Sequence, residues 1–173
     1  MPVITAPEIC GELAHKDPMA NTSTEINLTL QRQRFDEFLG QRHNTLAQFA
    51  KQLGLSDAEG FAKQPERYIE IISDALSAPV IEPTKKLAIA TNLGYFIGEI
   101  FINRYDGEWT LCDDDSSSLY CHYLVNRFSA PAQETAQFSP MSAAIQFADM
   151  PPPRSLSNLL DIIDAVFRIN NPP

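Results

Sequence analysis

Apolar residues return at three- and four-residue steps along most of this chain, and strand-forming residues gather in only one short region, so helices should dominate the fold. From about Gln31, the residues Phe35, Phe38, Leu39, Leu46, Phe49 and Leu53 trace one face of an amphipathic helix, which Gly40 is placed to bend or split. Ser56-Asp57-Ala58-Glu59 has the Ser-x-x-Glu order of a capping box, in which two side chains satisfy open amides, so a short helix should start there. Another follows Pro65, with Tyr68, Ile69, Ile72 and Leu76 facing inward. Pro79 and Pro83 enclose a short extended connection, and Pro83 suits the first turn of the next helix.

That helix, Thr84 to about Asn103, is the most informative segment. Leu87, Ala90, Ile97 and Phe101 make one apolar stripe and Ile89, Leu93, Phe96 and Ile100 a second, a pattern that predicts a central, buried helix. A narrow remaining stripe carries Lys85, Asn92, Tyr95, Glu99 and Asn103. Gly94 and Gly98 stand four apart and remove bulk from one side, so another element can approach closely.

Tyr105-Asp106-Gly107-Glu108 reads as a turn leading into two segments rich in strand formers, Trp109 to Cys112 and Leu119 to Val125, joined by Asp113 to Ser118. With Cys112 opposite Leu119, the side chains of Trp109, Leu111, Tyr120, His122 and Leu124 would share a face. Phe138 to Phe147 suits a short helix, and Met150-Pro151-Pro152-Pro153 a stiff spacer that cannot continue it. Ser155 or Ser157 can cap a last helix with Leu156, Leu159, Leu160, Ile163, Val166 and Phe167 inside and Asp161, Asp164 and Arg168 outside, ending by Asn170. Residues 1–24, with Pro2, Pro7, Pro18 and Asn21-Thr22-Ser23-Thr24, read as a mobile or loosely docked arm. The expected fold is therefore α+β: one mostly helical domain over 25–170, with a central helix at about 84–103, a small antiparallel hairpin and a C-terminal amphipathic helix.

Length and composition fit that single globular unit: 173 residues, 44% hydrophobic and 20% charged. No apolar run approaches the roughly 18 residues of a spanning helix, and no basic-then-apolar leader opens the chain. Cys10, Cys112 and Cys121 are odd in number and widely spaced, which fits a reducing cytoplasm better than a disulfide framework. Charge adds a direction. Of the formal net charge of -9, residues 99–173 hold most, with 10 acidic against 4 basic residues. Such a surface repels nucleic acid and anionic lipid and would steer a basic protein partner, although solubility alone also explains acidity.

The familiar catalytic signatures are missing: no phosphate loop, no dinucleotide fingerprint, no Gly-x-Ser-x-Gly elbow and no His-Glu-x-x-His pair. Asp113-Asp114-Asp115 could contribute oxygens to a hard cation together with Glu99 or Glu108. Adjacent side chains diverge, however, so a polar hairpin tip is the better reading. Cys112, Cys121 and His122 lack a fourth zinc ligand and any Cys-x-x-Cys pair. A cysteine nucleophile paired with His43 or His122 is outweighed by the usual role of strand cysteines as small buried hydrophobes, and His15 lies in the arm. No metal or cofactor is expected. Glu99 is the single residue most worth following: a half-buried base, or more simply a carboxylate paired with an Arg such as Arg104 or Arg127.

Leu93-Gly94-Tyr95-Phe96-Ile97-Gly98-Glu99, followed by Gly107-Glu108-Trp109 and then acids, resembles a pattern in uncharacterised bacterial helix-hairpin domains: Leu-Gly-x-x-x-Gly-Glu, then a strand opening with Trp. The placement of the Gln31-Arg32-Gln33-Arg34 helix and of the Tyr68 to Leu76 helix is similar too. The likeness spans roughly residues 28 to 129 and leaves the Pro-rich stretch and last helix without counterparts. Several such domains are small cytoplasmic proteins suspected of neutralising toxins between bacteria, and the family offers no catalytic residues to carry over.

Three expectations follow. The first is a non-enzymatic immunity protein whose acidic face, Glu108, Asp113, Asp114, Asp115, Asp161 and Asp164, covers the basic active-site surface of a toxin. The second is a structural module in which the Gly94 and Gly98 face packs against a second copy. The third is an enzyme using Glu99, Asp113 and His122 in acid-base roles.

Overall fold

Pro83 in the first turn and Asp106 just past the last delimit the helix that the sequence marks as central, α4 (Pro83–Tyr105). Proline needs no amide partner at a helix start. Asp106, at φ 53, takes the left-handed conformation that ends helices, and its N–H returns to the carbonyl of Ile102. The computed structural model describes residues 20–78, 80–126 and 137–169, with side chains over 28–78, 80–126 and 137–165. The first 19 residues of the expected arm, Arg127, residues 170–173 and the side chains of Val166, Phe167 and Arg168 lie outside the described residues.

Around α4 the chain builds a mostly helical α+β fold. It comprises α1 (Ala20–Gln52), α2 (Ala58–Lys63), a 3-10 turn (Pro65–Tyr68), α3 (Ile69–Ser77), α4, strands β1 (Glu108–Leu111) and β2 (Tyr123–Asn126), α5 (Pro140–Asp149) and α6 (Leu156–Ile169). Ala90 and every residue from Leu93 to Phe101 are buried, so α4 is covered on all sides along its middle. Five of its side chains, Leu93, Phe96, Ile97, Ile100 and Phe101, are wholly excluded from water, each contributing roughly 1.5–3 kcal/mol of apolar burial. Leu87, expected on an inner stripe, is 74% exposed. The buried belt begins one turn later, because α5 ends alongside Lys86, which pairs with Asp149, the last residue of α5.

The two glycines receive the close approach the sequence predicts, from two different elements of the same chain. A Cβ on Gly94 would lie 2.3 Å from Sδ of Met141 on α5, and one on Gly98 would lie 2.0 Å from Cζ2 of Trp109 on β1. The face expected for a second copy is thus filled from within. With Gly94 beside Met141 and Lys86 beside Asp149, α5 runs antiparallel along α4.

Other boundaries shift for local reasons. The first helix is continuous for 33 residues through Gly40, whose Cβ position is open space, and it begins at Ala20, inside the segment read as an arm. The cap of α2 is Asp57 and not Ser56: its carboxylate accepts from Gly60 N–H at 2.8 Å and from the Tyr68 hydroxyl at 3.1 Å. These bonds hold the Asp57 carboxyl below its ordinary pKa. In α6, Ser155 is the cap, accepting from Asn158 N–H at 3.2 Å, while Ser157 donates to Glu70 of α3. Ser73 of α3, itself buried, accepts the Leu156 N–H at 3.1 Å and so fixes where α6 starts.

The antiparallel hairpin forms in another register than expected. Trp109 pairs with Val125 and Leu111 with Tyr123, so Trp109, Leu111, Tyr123 and Val125 share a face. Leu119 to Cys121, read as strand, are instead folded into turns closed by Tyr120 N–H to Ser117 O and His122 N–H to Leu119 O. These turns consume residues that a short hairpin loop would have left for pairing. Val125 also bridges Phe138 on its far edge.

Because the Trp109 ring is rigid and packed, Gly98→Ala should lower stability by roughly 1–3 kcal/mol through overcrowding. Gly94→Ala should cost less: the Met141 thioether can swing aside, the Met141 Cα at 3.2 Å has to yield only slightly, and alanine recovers about 1 kcal/mol of helix propensity. Urea unfolding of the two variants against the parent chain checks the order; equal midpoints would contradict it.

Candidate functional site

The polar stripe on α4 meets α1. Asn92 donates to Gln52 at 3.3 Å, the Tyr95 hydroxyl donates to the Phe38 carbonyl at 3.0 Å, and Glu99 faces Arg42. The Phe38 ring stacks on Tyr95 with centroids 4.3 Å apart and meets Trp109 edge-on at 4.9 Å, so α1, α4 and β1 converge on one aromatic group that also includes Phe35 and Tyr123.

Glu99 lies at that convergence, only 5% exposed. Its Oε1 accepts the indole N–H of Trp109 at 3.1 Å. Arg42 Nε stands 3.4 Å from the same oxygen, but its N–H is not aimed at it, so the contact is an ion pair and not a hydrogen bond. The partner is therefore Arg42 and not Arg104. Arg42 carried a readable signal: it falls between Phe38 and Leu46 at four-residue steps, a charge in the middle of an apolar stripe, which implies a buried counter-charge. Tyr95, 3% exposed, has its phenol pushed up to about 12 by burial, with the nearby Tyr123 adding to the effect.

A second polar cluster closes the other end of α4. Arg104 donates through Nε and Nη2 to the two carboxylate oxygens of Glu66, at 2.8 and 3.1 Å, and through Nη1 to Asp164. The Tyr105 hydroxyl donates to the second oxygen of Asp164 at 2.8 Å, and the guanidinium lies over the Phe101 ring. Hydrogen bonds to Glu66, then the charges of Asp164 and Glu66, hold the Arg104 proton more tightly than usual against the opposing effect of burial. Asp164 was expected on the outer face of α6. It is buried because Arg104 and Tyr105 require a carboxylate there, which removes it from the exposed acidic set.

The remaining acids sit on the surface. Asp113, Asp114 and Asp115 occupy the loop between the strands, all exposed, and Asp161 is exposed on α6. Glu108 opens β1 and is likewise exposed. Asp113 accepts from Arg32 of α1 at 3.1 Å, with both side chains 60% exposed. Asp114 organises the turn: its Oδ1 accepts from Ser116 Oγ at 2.6 Å and Ser116 N–H at 3.0 Å, which hold its carboxyl below the ordinary range. Ser117 then receives the Leu119 N–H on its hydroxyl. The three carboxylates thus stand on a structured loop, and Arg32, singled out in sequence only as part of the Gln31–Arg34 helix, is a cation already facing it.

Glu99, Asp113 and His122 do not converge in any observed contact: Glu99 is engaged with Trp109 and Arg42, Asp113 with Arg32, and His122 lies beside Cys112 at the end of the hairpin. Among the described residues no group of three or more His, Cys, Asp or Glu side chains is placed to hold a metal ion, and no helix is long and apolar enough to cross a membrane. In comparisons with known proteins, no family model, no curated protein and no solved structure matches this chain.

Two outcomes follow from the buried groups. Glu99→Ala leaves the Trp109 indole without its acceptor and Arg42 without its counter-charge and should cost about 3 kcal/mol, whereas Glu99→Gln keeps an oxygen for the indole and should cost less. Trp109 is the chain's single Trp, so its emission during urea unfolding reports this site directly. The Tyr95 phenol ionises from about pH 10 when unfolded but only at about 12 when folded. Its share of stability is therefore intact below pH 10 and lost as pH rises to 12, up to roughly 2 kcal/mol. Comparing urea midpoints of Tyr95→Phe and the parent across that window isolates the share; identical pH profiles would contradict the assignment.

Proposed function

We propose that this chain is a non-enzymatic acidic protein-binding domain, most concretely an immunity protein that neutralises a cognate bacterial toxin by occluding a basic active-site surface. The observation that carries the reading is the loop of Asp113, Asp114 and Asp115, exposed and held by its own hydrogen bonds, with an Arg already seated on Asp113. Carboxylates carried on a structured loop present charge to a partner at little ordering cost. The Arg32 contact is an exposed pair of the kind worth under about 1 kcal/mol, so a partner's cation can displace it.

The two most enclosed carboxylates, Glu99 and Asp164, are bound by Trp109 and Arg42 and by Arg104 and Tyr105, which leaves the surface acids as the groups available to a partner. Glu108 and Asp161 extend the acidic surface. The concentration of negative charge after residue 98 agrees with steering of a basic protein, and the likeness of residues 93–99 and 107–109 to suspected toxin-neutralising domains gives the toxin its place in the reading.

The test compares the parent chain with a variant carrying Asp113→Asn, Asp114→Asn and Asp115→Asn together, whose stability should stay within about 0.5 kcal/mol because these groups are exposed. A basic protein retained from the chain's own host by the parent and lost by the variant is purified, and its association rate is measured against salt. The rate should fall roughly tenfold with the substitutions and again with added salt, as screening shortens the reach of exposed charge. Co-expression of the chain should also relieve the growth defect that the purified partner causes. A rate indifferent to both salt and substitution, or no retained protein, would overturn the reading.

A further inference from the structure

A backbone hydrogen bond joins Cys112 and Cys121 where the hairpin ladder ends. Beyond the last pair, Leu111 with Tyr123, the Cys112 N–H donates to the His122 carbonyl at 3.0 Å and the Cys112 carbonyl accepts the Cys121 N–H at 2.8 Å. Two residues, Cys121 and His122, thus oppose one, which is a β-bulge. Its first residue, Cys121, has φ 63, the left-handed conformation that this bulge position normally reserves for glycine. The turn closed by His122 N–H to Leu119 O at 2.9 Å leads directly into it. A side chain at this position is disfavoured, and an outlier that a glycine would remove is a reason to look for a use of the side chain.

We propose that Cys112 and Cys121 form a redox modification site, a reversible disulfide that closes the loop carrying Asp113 to Tyr120. The single 2.8 Å bond from the Cys121 N–H to the Cys112 carbonyl links the two residues directly, and with standard bond lengths it keeps their Cα atoms within about 6.7 Å. Disulfides span roughly 4.4–6.8 Å between Cα atoms, so the bridge is within reach of the existing backbone. Both cysteines are half-buried, within reach of a small oxidant.

The oxidant class is a low-molecular-weight disulfide such as oxidised glutathione. One cysteine thiolate attacks a sulfur of that disulfide, breaking its S–S bond and releasing one glutathione thiolate. The second cysteine thiolate then attacks the protein-bound sulfur, forming the Cys112–Cys121 bond and expelling the other glutathione thiolate. The two protons lost by the cysteines are taken up by the two glutathiones. The electrons balance as well: two protein thiols are oxidised and one small disulfide is reduced. This site stands whether or not the loop meets a protein partner.

The experiment uses the full-length chain equilibrated with oxidised glutathione, blocked with a thiol-alkylating reagent and mapped by mass spectrometry without reduction. The expected product has lost two hydrogens, is alkylated at Cys10 alone, contains a cross-linked peptide pair bearing Cys112 and Cys121, and returns to three alkylated cysteines after dithiothreitol. Cys10→Ser should form the same bridge. Cys121→Gly should abolish it while raising the melting temperature of the reduced protein, because glycine relieves the left-handed backbone; this variant removes the thiol without adding strain to the turn. Stable glutathione adducts on both cysteines, a bridge through Cys10, or no change in mass would each overturn the proposal.

Discussion

A carboxylate buried in the middle of the central helix has to be met, and meeting it fixes the surrounding elements. Glu99 draws Trp109 from β1 and Arg42 from α1 to a single oxygen, so the hairpin and the long first helix are tied to α4 at one level. Apolar faces alone would allow these elements to slide by a turn with small loss, since cores tolerate many packings of similar volume. The indole donor, the guanidinium, and the Tyr95 hydroxyl on the Phe38 carbonyl permit one alignment. The absence of a side chain at Gly98 then admits the Trp109 ring to that place.

The backbone of this arrangement was legible in the sequence because it rests on periodicity. The apolar pattern that wraps most of residues 84 to 103 predicts a central helix, and its middle, Leu93 to Phe101, is buried. Gly94 and Gly98 announced close approach, and Met141 and Trp109 supply it. What escaped was decided by single hydrogen bonds that periodicity does not carry. The cap moved from Ser56 to Asp57 because Asp57 serves both Gly60 and Tyr68, and the hairpin register moved because Leu119 to Cys121 fold into turns.

The polar groups show the same division. Asp113 to Asp115 could be placed on a loop from composition, and they are exposed there. Asp164 could not be separated from Asp161 by sequence, since both sit on the side of α6 that its apolar pattern leaves over. The difference arises from Arg104 and Tyr105, some 60 residues earlier, which reach Asp164 and pull it into the core. A helical pattern assigns faces to a helix in isolation, whereas burial of an acid depends on which distant cation arrives.

The seam between α3 and α6 sets the order in which the chain can finish folding. Ser73 receives the Leu156 amide and Glu70 receives the Ser157 hydroxyl, contacts that join residues more than 80 positions apart. At roughly 5–20 residues per second, a nascent chain carries α3 for about 4–17 s before its partner is synthesised. During that interval the part of α3 that docks on α6 is uncovered and is a surface for chaperones to hold. Completion of the core is therefore paced by translation of α6 and not by the hairpin or by α5, both of which emerge with their docking face on α4 already made.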